Sequence, residues 1–127
     1  MATIEDHAAE CKKILGEPHW EVHRFLDQYA GAFPVDHFVD YHRTFLHNSY
    51  GLKIVEARWG LEARTAALVH LYRDYHEGSI SHLSLKKILE RVLTAVMWFN
   101  RMMHGYEPRP HIIRAWNGKS LVYLATK

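Results

Sequence analysis

The chain has 127 residues, of which 48% are hydrophobic and 13% aromatic, and its net charge is +2 with histidine neutral. That length suggests a single domain spanning 1–127, and so much apolar content argues against disorder. Near-balanced charge gives a nucleic-acid partner little support, no stretch reaches the 18 apolar residues of a membrane span, and Glu5 and Asp6 stand where a signal peptide wants positive charge.

The one cysteine, Cys11, excludes an internal disulfide and a cysteine-based zinc motif, and fits a reduced, cytoplasmic compartment. The eleven histidines would raise the charge steeply below pH ~6.5.

Thr3 and Asp6 form a capping-box-like start to a first helix that runs through Leu15 and stops at Gly16. Its charged face carries Glu5, Glu10, Lys12 and Lys13. Pro18 suits the first turn of a second helix with Trp20, Val22, Phe25, Leu26 and Tyr29 as its apolar stripe, closed by Gly31 and Pro34. His23 and Asp27 lie one turn apart on it.

Asp36 is a good N-cap for a third helix continuing to Trp59, with Gly51 as a weak point or kink. Heptad spacing aligns His42, Ser49 and Glu56, interleaved with Phe38, Phe45, Leu52 and Trp59 as core-facing residues. Polar groups directed inward need a partner, because leaving one unsatisfied costs about 1–3 kcal/mol.

Gly60 ends that helix. A fourth runs from Leu61 to about His76, with Ala63, Ala66 and Ala67 allowing close approach of a neighbour and His70 and Asp74 one turn apart. Ser81 or Ser84 caps a fifth, Leu85 to His104, the most apolar of all. Its breadth implies burial on more than one side, as a central helix or as a homodimer interface. After Pro108 and Pro110 the period changes, and 111–126 reads as a β-hairpin with Asn117-Gly118 in a type I′ turn. A lone hairpin is marginal in water, so it must pack on the helices or extend a partner. The fold expected is mainly α, a bundle of four to five helices with a C-terminal hairpin.

Three constellations carry chemistry. The first is a metal site drawn from His42, His47, Glu56, His70 and Asp74, a donor set that suits Zn, Fe, Mn or Ni. Its plain counterpart is a set of hydrogen-bonded pairs, His70 with Asp74 and His42 with Glu56. The second is His23 steered by Asp27, as a general base or as support for a metal ligand, or else an exposed helix pair. The third is Arg43, near His47, Tyr50 or Arg73, as an anion-binding fork, or else a surface salt bridge to Asp36 or Asp40, with Arg73 near Glu77.

Two resemblances follow. The series His7-Ala8, Gly16, Val22-His23-x-x-x-Asp27, His42-Arg43-x-x-x-His47, Gly51, Glu56, Gly60 and His70-x-x-x-Asp74 resembles a family of small uncharacterised bacterial and phage proteins. That implies a shared site over residues 7–75 and no particular reaction. Phe45-Leu46-His47, an amphipathic helix, then Ala66-Ala67-Leu68-Val69-His70 is similar to the HD-domain metal-dependent phosphohydrolases. That resemblance implies His47 and His70 as the first and second histidine ligands. Position 71 is Leu, where that family has its aspartate.

The function expected is a small metal-binding protein, a hydrolase of a phosphorylated or nucleotide-like small molecule using a metal-activated water. His42, His47 and His70 would hold the ion with Glu56 or Asp74, and His23, Asp27 and Arg43 would assist. The alternative is a non-enzymatic interaction protein with buried His–carboxylate pairs, a homodimer through helix 85–104 and the hairpin. A pH-responsive binder is the third reading.

Overall fold

The computed structural model describes residues 2–28, 46–76, 78–101 and 112–125. Among these the chain forms α1 (Ile4–Leu15), α2 (Trp20–Leu26), α3 (Ser49–Trp59), α4 (Leu61–His76), α5 (Leu85–Arg101), β1 (Ile112–Trp116) and β2 (Leu121–Ala125). The mainly helical fold with a C-terminal antiparallel hairpin is the one the periodicities imply.

Local chemistry sets several boundaries as expected. Thr3 and Asp6 make a reciprocal capping box at the start of α1. Gly16 ends it in the left-handed region, φ 91°, where a Cβ is penalised. Ser84 Oγ accepts from Lys87 N at the start of α5.

The centre of the bundle is α4, against which α1, α2, α3, α5 and β1 all pack. Every residue from Ala63 to Tyr72 is buried, so this helix is enclosed on all sides. The expectation that helix 85–104 takes the central place is corrected: within the chain α5 buries one stripe, Ile88, Leu89, Val92, Ala95, Val96 and Phe99, and leaves Arg91, Thr94 and Trp98 outside. Small residues decide the matter. Ala63, Ala66 and Ala67 let neighbouring backbones approach α4, and the Cys11 thiol of α1 reaches the Ala66 carbonyl. Burial pushes that thiol up to about 12.

The long third helix expected over 36–59 does not run through. Residues 36–45, with Asp36, Phe38 and Phe45, lie outside the described residues. Asn48 is extended, φ −157° and ψ −178°, and its Oδ1 accepts from Gly51 N as the N-cap of α3. Gly51 is therefore no kink but a close approach: a Cβ there would meet the Leu46 carbonyl oxygen at 1.8 Å. Leu52 is core, whereas Trp59 is 39% exposed, its ring edge-on to Phe25. Trp59 is the last residue of that helix, next to the Gly60 cap, and there the seven-residue spacing from Leu52 no longer leads into the core.

The hairpin pairs Trp116 with Leu121, so the two-residue turn is Gly118-Lys119, one position later than expected. Only Gly118 has positive φ (95°) among the turn residues, the pattern of a type II′ rather than a type I′ turn. Asn117 Oδ1 accepts from the backbone N–H groups of Lys119 and Ser120, which binds it to the turn's flank. Ile113 and Ala115 are fully buried, and Trp116 N donates to Thr65 Oγ1 of α4 at 2.6 Å.

Candidate metal centre

Three short-range features aim side chains at one point. His70 and Asp74 stand one turn apart on α4, which directs both to the same face. The break before Asn48 leaves His47 off any regular helix and turned inward, fully buried. Asp27 is the C-cap of α2, its N–H bonded to the His23 carbonyl, and its side chain extends beyond the helix end.

There the Nε2 atoms of His47 and His70 are 3.1 Å apart. His47 Nε2 lies 2.8 Å from Asp74 Oδ2 and 3.4 Å from Asp27 Oδ1. His70 Nε2 lies 3.2 Å from Asp27 Oδ1 and 3.4 Å from Asp74 Oδ2. A tetrahedral ion with ligand bonds of about 2.0–2.1 Å separates its donors by roughly 3.3 Å. Five of the six edges of such a tetrahedron are thus already near that length. Asp27, His47, His70 and Asp74 form a group that can hold a metal ion.

Proton positions follow from the partners. A carbonyl only accepts, so His23 Nε2–H donates to the Pro18 oxygen at 2.8 Å. His23 Nδ1 is then an acceptor, and His70 Nδ1–H donates to it at 2.9 Å. That leaves His70 Nε2 for the four-donor group. Pro18 is not in the first turn of α2 as expected. It precedes His19, a left-handed residue (φ 54°), and the helix starts at Trp20.

Electrostatics are set by burial opposed by contact. Burial works against the charge on His70, but Asp27 and Asp74 more than offset it and hold its pKa up to about 9. Burial raises and the histidine contacts lower the two carboxyls, with a net fall for Asp27 and a larger one for Asp74. Burial lowers His47 to about 4 and His23 to about 3, and the charge of His70 adds to both. The Nε2 atoms of His47 and His70, 3.1 Å apart, thus face the same two carboxylates, a crowding of four donors that a divalent ion would relieve.

The residues named from the sequence divide clearly. His47, His70 and Asp74 come together. Asp27 joins them directly rather than steering His23, and His23 is not on an exposed face but fully buried behind His70. Glu56 is elsewhere: Arg64 and Arg114 hold its two carboxylate oxygens. Ser49 bonds to Asn100 of α5. His42 and Arg43 lie outside the described residues. Glu77, expected near Arg73, lies outside the described residues, and Arg73 has a partner on α1. It donates to Glu10 at 2.6 Å, and Glu10, expected on a charged outer face, is buried with Oε2 accepting from Ile80 N.

The sequence reading did not place His7 in the site. Its ring stacks on His70, centroids 3.5 Å apart, and its Nε2 lies 3.3 Å from Asp74 Oδ1. The available signal was its place at the head of the His7-Ala8 series.

No family model matches the chain, and no curated protein or solved structure matches it.

Proposed function

We propose that the protein is a metal-dependent hydrolase of small phosphorylated or nucleotide-like molecules, with its ion held by His47, His70, Asp27 and Asp74. One observation carries the metal part: two imidazole Nε2 atoms 3.1 Å apart, both facing the same two carboxylates. Two aspartates and two neutral histidines give a borderline, oxygen- and nitrogen-rich set that suits Zn, Fe, Mn or Ni. Two carboxylate charges balance a divalent ion, so burial is tolerated.

Held by these four residues, such an ion would lower the pKa of a water taken up as a fifth ligand and so supply a nucleophile for hydrolysis. The HD-domain resemblance supports the reaction class. His47 and His70 fill the two histidine positions it implies, and the carboxylates come from Asp27 and Asp74, not from position 71. His23 orients His70 through its Nδ1, the role a partner behind a metal ligand plays.

A structural metal site is the second reading, favoured by the closure of the group: none of the four side chains is more than 9% exposed. Protein purified without a nickel column, stripped with chelator and reloaded with Zn²⁺, Mn²⁺, Fe²⁺ or Ni²⁺ separates the two. Metal-dependent release of phosphate from a panel of phosphomonoesters and nucleotides is expected. Metal uptake that raises the melting temperature with no turnover on any member leaves the structural role, and no uptake removes both.

A further inference from the structure

Beside the four-donor group, and resting on that reading, lies a second set of metal donors. His7 is buried, and among the described residues neither of its ring nitrogens has a hydrogen-bond partner. Its Nε2 is nevertheless 3.3 Å from Asp74 Oδ1, off the line a hydrogen bond needs. The His7 and His70 rings are stacked, 15° from parallel and 3.5 Å between centroids. Asp74 thus offers one oxygen, Oδ2, to the His47–His70 pair and the other, Oδ1, to His7.

Two roughly parallel imidazoles, each facing one oxygen of a shared carboxylate, are the arrangement of a carboxylate-bridged ion pair.

We propose that the protein binds two divalent ions, bridged by Asp74. The first is held by His47, His70, Asp27 and Asp74 Oδ2, and the second by His7 Nε2 and Asp74 Oδ1. Among the described residues the second ion has these two protein donors, against four for the first, and its remaining coordination positions would fall to water or an oxygen of the substrate. An oxyanion substrate such as a phosphate ester fits a pair of cations, which clamp the attacking and leaving oxygens together.

The test is stoichiometry, with Mn²⁺ as the probe. Metal-stripped full chain is reloaded and its metal content read by native mass spectrometry. Electron paramagnetic resonance reports whether the ions are exchange-coupled. Wild type is expected to carry two coupled Mn²⁺ ions, and His7→Gln one uncoupled ion with unchanged circular dichroism. His7→Phe, which keeps a ring on His70, is expected to behave like His7→Gln. One ion in wild type overturns the inference and leaves the four-donor site standing. Two uncoupled ions overturn the bridge, and two coupled ions in both His7 variants overturn the role of His7. No ion at all overturns the four-donor site as well.

Discussion

His23 and His70 meet nitrogen to nitrogen, Nδ1 to Nδ1, at 2.9 Å, and the Pro18 carbonyl behind His23 decides which of them donates. A backbone oxygen on one helix entry thereby sets the proton position on a ring from another helix. His70 is presented to the site with its Nε2 lone pair whenever an ion takes the place of the proton.

Removing that support is expected to weaken the metal site without abolishing it. His23→Leu should lower affinity for the ion about 10–100-fold, the usual effect of deleting a partner behind a ligand. His23→Gln, whose amide oxygen can accept from His70 Nδ1–H, should recover part of the loss. Competition against a chromophoric chelator measures both, and equal affinity in all three proteins would show that His70 needs no such orientation.

Metal binding should release about one proton per four-donor site near pH 7.5. His70, held up to about 9, is protonated in the metal-free protein and must lose that proton to ligate, whereas His47, lowered to about 4, is already neutral. Calorimetric titration in two buffers of different ionisation heat counts the protons.

The metal-free protein should be most stable near pH 6.5–7 and lose stability on both sides. Above that, His70 is the cause: its folded pKa of about 9 exceeds the unfolded value, so its contribution is complete below pH ~6.5 and fades as pH rises through 9. On the acid side His47 and His23, lowered to about 4 and about 3, favour the unfolded chain once it takes up protons below pH ~6.5. The lowered Asp27 and Asp74 add to that loss when pH falls below the ordinary carboxylate range. Melting temperatures from pH 4 to 10 trace the curve, and His70→Gln should flatten its alkaline limb.

Glu10→Ala should cost about 3 kcal/mol, the scale of a buried ion pair broken on one side. It strands the Arg73 guanidinium and the Ile80 N–H together. Urea unfolding reads the change, and Glu10→Gln should lose less, since its amide oxygen still has one of those donors to accept from.

Gly51→Ala should destabilise by about 3 kcal/mol, the upper range of overpacking, because the obstructing atom is backbone, the Leu46 carbonyl oxygen. The next residue is His47, so the same change should also weaken metal binding. Stability and metal content falling together in one variant would link the turn to the site.

Much of the fold is legible in local chemistry. The capping box at Thr3, the glycine stop at Gly16, the serine cap at Ser84 and the hairpin pattern after residue 111 act over a few residues, so short windows reveal them. His70 and Asp74 share a face by helical spacing alone, and that part of the site was equally open to reading. The remainder depends on long-range geometry. Asp27 and His23 have helical spacing, but α2 ends at Leu26, which sends Asp27 toward His70 instead of leaving it beside His23. Glu56 has the right heptad spacing to His42, but the restart of the helix at Ser49 and the basic groups Arg64 and Arg114 claim it. Counting apolar residues points to helix 85–104 as the centre. The alanines of α4 win that place by steric access, which hydropathy does not measure.

The four donors enter from stretches that are remote along the chain: His47 lies 23 positions before His70, and Asp27 lies 43 before it. An ion seated among them would act as a staple across two large loops. Closing such loops in advance takes freedom away from the denatured chain, as a cross-link does. Chelation should then do more than empty a cavity: it should untie α2 and the turn before α3 from α4, and slow refolding would be read as the staple failing to close.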